Sequence, residues 1–249
     1  MNKIALVTGA GSGIGKACAL ALLKDEWQVV FVGRRLSVLE EAIAMAGAHS
    51  VNGHAMAADL THEAEVKALF SKIHARFGRL DLLFNNAGIS LPTTLPGDLS
   101  GDDWRRTVDI NLNGAFYALS NAFKLMQEQR PQGGRIINNG SISAHVPRPG
   151  SIAYATTKHA ISGLTRAAAL DGRAFGIAVG QIDIGNVTSD MTAKMTQGVP
   201  QADGSLKPEP CMDIAAVVDA FMCMARLPLT ANILTVTVMA TQMPYVGRG

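Results

Sequence analysis

No basic block, no long apolar run and no cysteine framework appear in the 249 residues of this chain. Each absence removes a class of function. The net charge is only +2, and the cations are dispersed, so nothing favours a nucleic-acid backbone as partner. No stretch reaches the 18 or so consecutive apolar residues that a membrane-spanning helix needs. The first apolar run, in MNKIALVTGAG, is too short for a secretory signal and is cut off at once by glycines. The three cysteines, Cys18, Cys211 and Cys223, are odd in number and lack metal-ligand spacing. A disulfide scaffold or a metal centre is therefore not expected, and a reducing, cytoplasmic compartment is.

What is present is material for an ordinary core. Apolar residues make up 48% of the chain, enough to fill one large domain. Short runs at Ile4–Val7, Val29–Val32, Leu82–Phe84, Arg135–Asn138 and Ala178–Ile182 read as strands. His54–Ala57 is a weaker strand signal, and Ile233–Met239 reads as the last strand. Between them, Lys16–Lys24, Leu36–Ala46, Glu63–Arg76, much of 103–128 and Tyr154–Phe175 read as helices. This alternation predicts an α/β fold with a parallel sheet of about seven strands, covered on both faces. No linker or repeat divides the chain, so residues 1–249 are expected to form one doubly wound, Rossmann-like domain. The polar stretch 188–210 loses both signals and is expected to be a loop or lid.

TGAGSGIG, Thr8 to Gly15, lies between the first strand and the first helix, with Gly9, Gly13 and Gly15 spaced G-x-x-x-G-x-G. Glycines permit a tight turn and let a pyrophosphate approach the backbone, and the helix start offers unpaired N–H groups. A glycine loop also serves as a plain strand–helix turn, so further landmarks have to decide. NNAG (Asn85 to Gly88) follows the fourth strand, and Asp59 follows the third. Asn111 stands in DINLNGAF, Ser141 precedes Tyr154 by 13 residues, and YATTK places Lys158 four after the tyrosine.

In this order the landmarks resemble those of the short-chain dehydrogenase/reductase family, from Thr8 to Ser189. The resemblance implies an oxidoreductase that interconverts a carbonyl and a secondary alcohol with a nicotinamide cofactor. It implies Asn111, Ser141, Tyr154 and Lys158 as catalytic residues. It implies cofactor contacts from Gly9, Ser12, Gly13, Ile14 and Gly15 in the loop, and from Asp59 and Leu60 near the adenine. Asn86, Ala87 and Gly88 would follow, with Tyr154 and Lys158 at the ribose, and Gly185, Val187 and Ser189 near the nicotinamide. The chemistry makes sense of the residue types. Tyr154 and Lys158 share a helix face at i and i+4. A tyrosine hydroxyl ordinarily titrates near pH ~10, and an ammonium close by favours the phenolate. A tyrosine so placed can exchange a proton with a substrate oxygen that Ser141 holds by a hydrogen bond. Asn111 resembles the residue whose backbone holds a water on the path from the lysine to solvent.

Cofactor choice is read from VVFVGRRLS. Members of this fold that use NAD usually carry an acid at the end of the second strand for the ribose 2′-OH. Here Gly33 takes that position and Arg34 follows. A guanidinium pairs with a 2′-phosphate, so NADP(H) is expected, with Arg34 the main selector, Arg35 a weaker one and NAD the lesser candidate. Two features depart from the family. Ile184 stands where proline is usual, which predicts a looser turn. MATQMPYVGRG replaces the usual ending, and Pro244 and Tyr245 are candidates for packing on a neighbouring subunit. The family's habit implies a homodimer or homotetramer through the two long central helices. The substrate is expected to be a small, mainly apolar or uncharged molecule, lined by residues from 89–99, 144–152 and 188–210, with Met191, Met195 and His145 among the candidates. The competing readings are a 3-oxoacyl-carrier-protein reductase and a non-catalytic dinucleotide-binding regulator.

Overall fold

Residues along a strand point alternately to its two faces, and here the central strands are apolar on both. The computed structural model of the chain describes residues 3–188 and 198–246. Its strands begin with β1 (Ile4–Thr8), β2 (Gln28–Gly33), β3 (Gly53–Ala57), β4 (Leu82–Asn85), β5 (Gly134–Asn139) and β6 (Ile177–Ile184). Between them lie α1 (Gly13–Lys24), α2 (Leu36–Ala44), α3 (Glu63–Phe77), α4 (Gly101–Val108), α5 (Gly114–Glu128) and α6 (Ile152–Asp171). A small antiparallel hairpin, β7 (Val199–Pro200) with β8 (Leu206–Lys207), precedes α7 (Ile214–Arg226), and β9 (Thr235–Val238) completes the main sheet. That sheet has seven strands in the order β3-β2-β1-β4-β5-β6-β9, and every neighbouring pair is parallel. No helix among the described residues is long and apolar enough to cross a membrane.

Ala5, Val7, Val29, Phe31, Leu82 and Phe84 face one core, shared with α1, α2 and α7. The rings of Phe84 and Phe221 pack there with centroids 4.5 Å apart. Leu6, Val30, Leu83 and Ile136 face the second core, under α3, α5 and α6. A strand buried on both sides must be apolar at every position, so its sequence reads as a run.

The structure departs from the sequence reading in three places. Helix α7 occupies a stretch that carried no assignment. Asp213 starts it, its Oδ1 accepting from the Ala215 N–H at 2.7 Å. Its buried residues Val217, Phe221, Met222, Met224 and Ala225 recur at helical spacing and pack on α1 and the sheet. The expected loop at 188–210 contains the β7–β8 hairpin, while residues 189–197 lie outside the described residues. The single helix expected within 103–128 is α4 and α5 joined by a π-helical turn, Asp109–Asn113. Part of the tail also touches its own chain, while Pro244 stays exposed. Tyr245 and Met243 join Ala240 against Ile142, one residue after Ser141.

The weak strand β3 is anchored by a half-buried polar contact. His54 Nε2 lies 2.7 Å from Gln28 Oε1 on β2, and its ring packs at a tilt with its centre 5.1 Å from that of Phe77. Burial, with Arg76 adding its charge, pushes the imidazole down to about 4 from 6.5. Between those values the unfolded chain takes up a proton that the folded chain refuses, so stability falls as pH is lowered through that window. Urea midpoints taken at about pH 7 and about pH 4.5 should therefore diverge more in the native chain than in His54→Gln. An equal loss in both proteins would clear His54 of the effect.

Candidate active site

The strand order reverses between β1 and β4, and such a switch opens a crevice at the carboxyl ends of the strands. The glycine loop after β1 forms one wall. Gly9 has φ +67°, and a Cβ on Gly15 would sit 2.3 Å from the Gly9 carbonyl oxygen, so both positions exclude side chains. Ile14 packs on the core beneath. Ser12 begins α1 without a side-chain cap, and the first turn, from Gly13, holds no acid. The helix start therefore keeps backbone N–H groups and positive dipole for an anion, which fits the pyrophosphate of a dinucleotide.

NNAG is tied to this loop by the Thr8 hydroxyl. Thr8 Oγ1 accepts from the Asn86 and Ala87 N–H groups at 2.8 and 3.0 Å, and Asn86 Nδ2 donates to the Thr8 carbonyl at 2.9 Å. Gly88 passes close to Asn111, whose Oδ1 would lie 3.3 Å from a Cβ there. On the adenine side, Leu60 is buried beside Gly114 and Asp59 is half-buried. Burial alone would raise the Asp59 pKa. Hydrogen bonds from the Thr61 N–H and hydroxyl, with His62 and Arg34 adding charge, outweigh it and hold the carboxyl below its usual value. Arg34 and Arg35 are both exposed at the end of β2, but Arg34 is the one whose charge reaches Asp59.

The four catalytic candidates converge at the other end of the crevice. Lys158 is buried to 5% exposure. Its Nζ donates to the Asn139 carbonyl at 2.7 Å and lies 5.5 Å from the centre of the Tyr154 ring. Ser141 starts a 3-10 turn, Ile142–Ala144, and its Oγ accepts from the Ser143 N–H at 3.1 Å. That contact leaves the hydroxyl hydrogen for another acceptor. Asn111 sits in the π-helical turn. Its side chain pairs with both backbone groups of Ile89 at 2.8 and 2.9 Å and reaches Thr157 Oγ1 on α6 at 3.3 Å. A cavity of about 480 Å³ is lined by Pro96, Arg148, Ile152, Ala155 and His159. It opens on a different face of α6 from Tyr154 and Lys158, so we give it no part in the chemistry.

One central residue escaped the sequence reading. Asp183, fully buried on β6, accepts from the Ser141 N–H at 2.9 Å and Gln181 Nε2 at 2.7 Å through Oδ1, and from His145 Nε2 at 2.9 Å through Oδ2. Gly140 is glycine for this reason, since a Cβ there would lie 2.0 Å from Asp183 Oδ1. The signal available was an acid in a strand buried throughout, DI ending β6. His145 is thus held by a carboxylate beside Ser141.

The sequence profile of the family described as short chain dehydrogenase matches residues 3–200. The chain belongs to that family. It is an oxidoreductase of the alcohol–carbonyl type. A 3beta-hydroxysteroid dehydrogenase of Mediterraneibacter gnavus is 37% identical over 198 residues, 80% of this chain and 71% of the relative. The fold superposes on a closed serine dehydrogenase complexed with NADP+ at TM-score 0.86 and 26% identity, covering 99% of this chain and 98% of that one. It also superposes on a 3-ketoacyl-(acyl-carrier-protein) reductase from Brucella melitensis complexed with NADH, at TM-score 0.84 and 25% identity, covering 96% and 98%.

The turn after β6, which lacks the family's proline, is tightly tied. The Gly185 N–H donates to the Val238 carbonyl at 2.8 Å. Val187, only 2% exposed, bridges to Met212, and the Thr188 N–H donates to the Met212 carbonyl at 3.0 Å. Ser189 lies outside the described residues.

Asp183→Asn keeps one acceptor, which can hold the Ser141 N–H or His145 but not both, so their shared anchor is lost. The expected loss is roughly ten- to a hundred-fold in kcat/KM, the size of a lost hydrogen bond to a charged group, with cofactor affinity little changed. Steady-state kinetics beside a cofactor titration checks it, and kcat/KM within about twofold of the native value would refute the anchoring role.

Proposed function

We propose that the chain is an NADP(H)-dependent oxidoreductase that interconverts a carbonyl and a secondary alcohol, working as one Rossmann-like domain. The observation that carries this reading is the buried Lys158 ammonium beside the Tyr154 ring on one face of α6. In carbonyl reduction the Tyr154 hydroxyl gives its proton to the substrate oxygen, and in alcohol oxidation it takes one back. Ser141 donates its free hydroxyl hydrogen to the same oxygen and fixes it. Lys158 stabilises the negative charge that develops on the phenol oxygen as the proton leaves. Asn111 spends its side chain on Ile89 and Thr157, which leaves its backbone, in the widened π turn, for a proton path to solvent. When bound, the nicotinamide supplies the hydride.

Gly9, Ser12, Gly13, Ile14 and Gly15 would hold the pyrophosphate. Asp59 and Leu60 would hold the adenine, Asn86 to Gly88 the adjoining ribose, and Gly185, Val187 and Ser189 the nicotinamide. NADP(H) is preferred because β2 ends without an acid and Arg34 stands there, near enough to act on Asp59. The NADP+ and NADH bound to the two structural relatives show that the fold accommodates both. The reading includes a cytoplasmic location and a homodimer or homotetramer through α5 and α6, where Phe116 and Leu170 stand exposed at 47% and 59%.

Loss of reduced-nicotinamide absorbance across ketones, aldehydes and 3-oxoacyl thioesters, with NADPH and NADH in parallel, tests it. Tyr154→Phe should lower kcat by at least about a hundredfold. Arg34→Ala should raise KM for NADPH about tenfold and leave KM for NADH nearly unchanged. Equal use of both cofactors, unmoved by Arg34→Ala, would remove the NADP assignment. Full activity in Tyr154→Phe would remove the mechanism.

A further inference from the structure

A proline fixes its own φ angle; an isoleucine in its place leaves that task to contacts. Ile184 is held through its pairing with Val238 on β9, but the chain then leaves the sheet. The next side chain, Asn186, is 3% exposed and every polar atom on it is engaged. Its Oδ1 accepts from Arg148 Nη2 at 2.8 Å, and its Nδ2 donates to Glu209 Oε2 at 2.9 Å and to the Pro210 carbonyl at 3.3 Å. Arg148 and Glu209 are themselves ion-paired, with side chains 16% and 1% exposed. Glu209 Oε1 accepts from Gln201 Nε2 at 3.1 Å. The Asn186 carbonyl accepts from the Met212 N–H at 2.9 Å.

We infer that Asn186, clamped between Arg148 and Glu209, is a positioning residue that sets the turn Gly185–Thr188 against the nicotinamide half of the cofactor. The inference rests on the cofactor reading above. Three segments meet at this one amide: the loop that follows Ser141, the turn that follows β6, and the segment that leads into α7. A buried ion pair is a poor source of net stability, because desolvation offsets most of the attraction. It is a good source of geometry, because each charge tolerates few arrangements of its partner. Arg148 and Glu209 give Asn186 one rotamer, and Asn186 gives the turn one path. Glu209 lies beyond the 3–200 stretch that matches the family profile.

The clamp bears on only half of the cofactor. The adenine half meets the glycine loop, Asp59 and Arg34, none of which touches Asn186. Affinity should therefore split between whole dinucleotide and adenine fragment. The test compares NADPH with 2′,5′-ADP, and NADH with ADP, by calorimetry on the native chain, Asn186→Ala and Glu209→Gln. Asn186→Ala leaves the Arg148–Glu209 pair intact and so guards against a variant that fails to fold. The expected result is about a tenfold loss in affinity for the dinucleotide, with its adenine fragment bound within about twofold of native, and a rise in cofactor KM that exceeds the fall in kcat. Equal weakening of dinucleotide and fragment, or no change in either, would overturn the positioning role. A native chain that binds no dinucleotide and no fragment would overturn the cofactor reading and this inference with it.

Discussion

A carboxylate buried at the end of a central strand has to find all its donors inside the protein, and Asp183 draws the active-site loops in to supply them. Stripping such a group of water costs several kcal/mol or more if it stays unpaired. Here the Ser141 N–H, Gln181 and His145 satisfy it, from β6 itself and from the loop after β5. Gln181 continues the chain of contacts through Thr165 on α6 to Asn138 and Asn85, at the ends of β5 and β4. Among the described residues no buried side-chain nitrogen or oxygen lacks a hydrogen-bond partner. A polar network satisfied this fully admits one arrangement, and that arrangement fixes where Ser141 stands relative to α6.

A second set of contacts fixes Lys158 relative to the dinucleotide loop. Thr8 ends β1 and holds Asn86; Asn86 Oδ1 accepts from Asn139 Nδ2 at 2.8 Å; the Asn139 carbonyl accepts from Lys158. The path crosses the switch point from the pyrophosphate end of the crevice to its chemical end. Placing donor, proton source and cofactor within a reactive geometry is worth more to catalysis than any one contact. The parallel sheet provides that precision because the ends of β1, β4, β5 and β6 are neighbours whose spacing the ladder sets.

Much of this was legible in the sequence. The strands buried on both faces announced themselves as apolar runs, Tyr154 and Lys158 stood one helical turn apart, and the glycine loop, NNAG and Ser141 stood out by resemblance to the family. What was illegible depends on distant partners. His145 and Asp183 are 38 residues apart, and Arg148 and Glu209 are 61 apart, so no local pattern links them. Helix α7, by contrast, was open to a sequence reading, since Val217, Phe221, Met224 and Ala225 recur at helical spacing on its buried face. The ties that hold the turn after Ile184 were illegible for a related reason. Sequence shows the loss of a proline, while the compensation comes from side chains elsewhere.

The two halves of the crevice are therefore built on different physical terms. The pyrophosphate and adenine side uses short-range elements: one strand, one glycine turn, one helix start and an acid held by its neighbour Thr61. Such parts carry their geometry in their own sequence, and they fall within the stretch that matches the family. The nicotinamide and substrate side is closed by long-range ties, from Asp183 to Ser141, from Asn186 to Arg148 and Glu209, and from the tail to Ile142. This second set holds together only because each buried donor and acceptor in it finds a partner from another part of the chain.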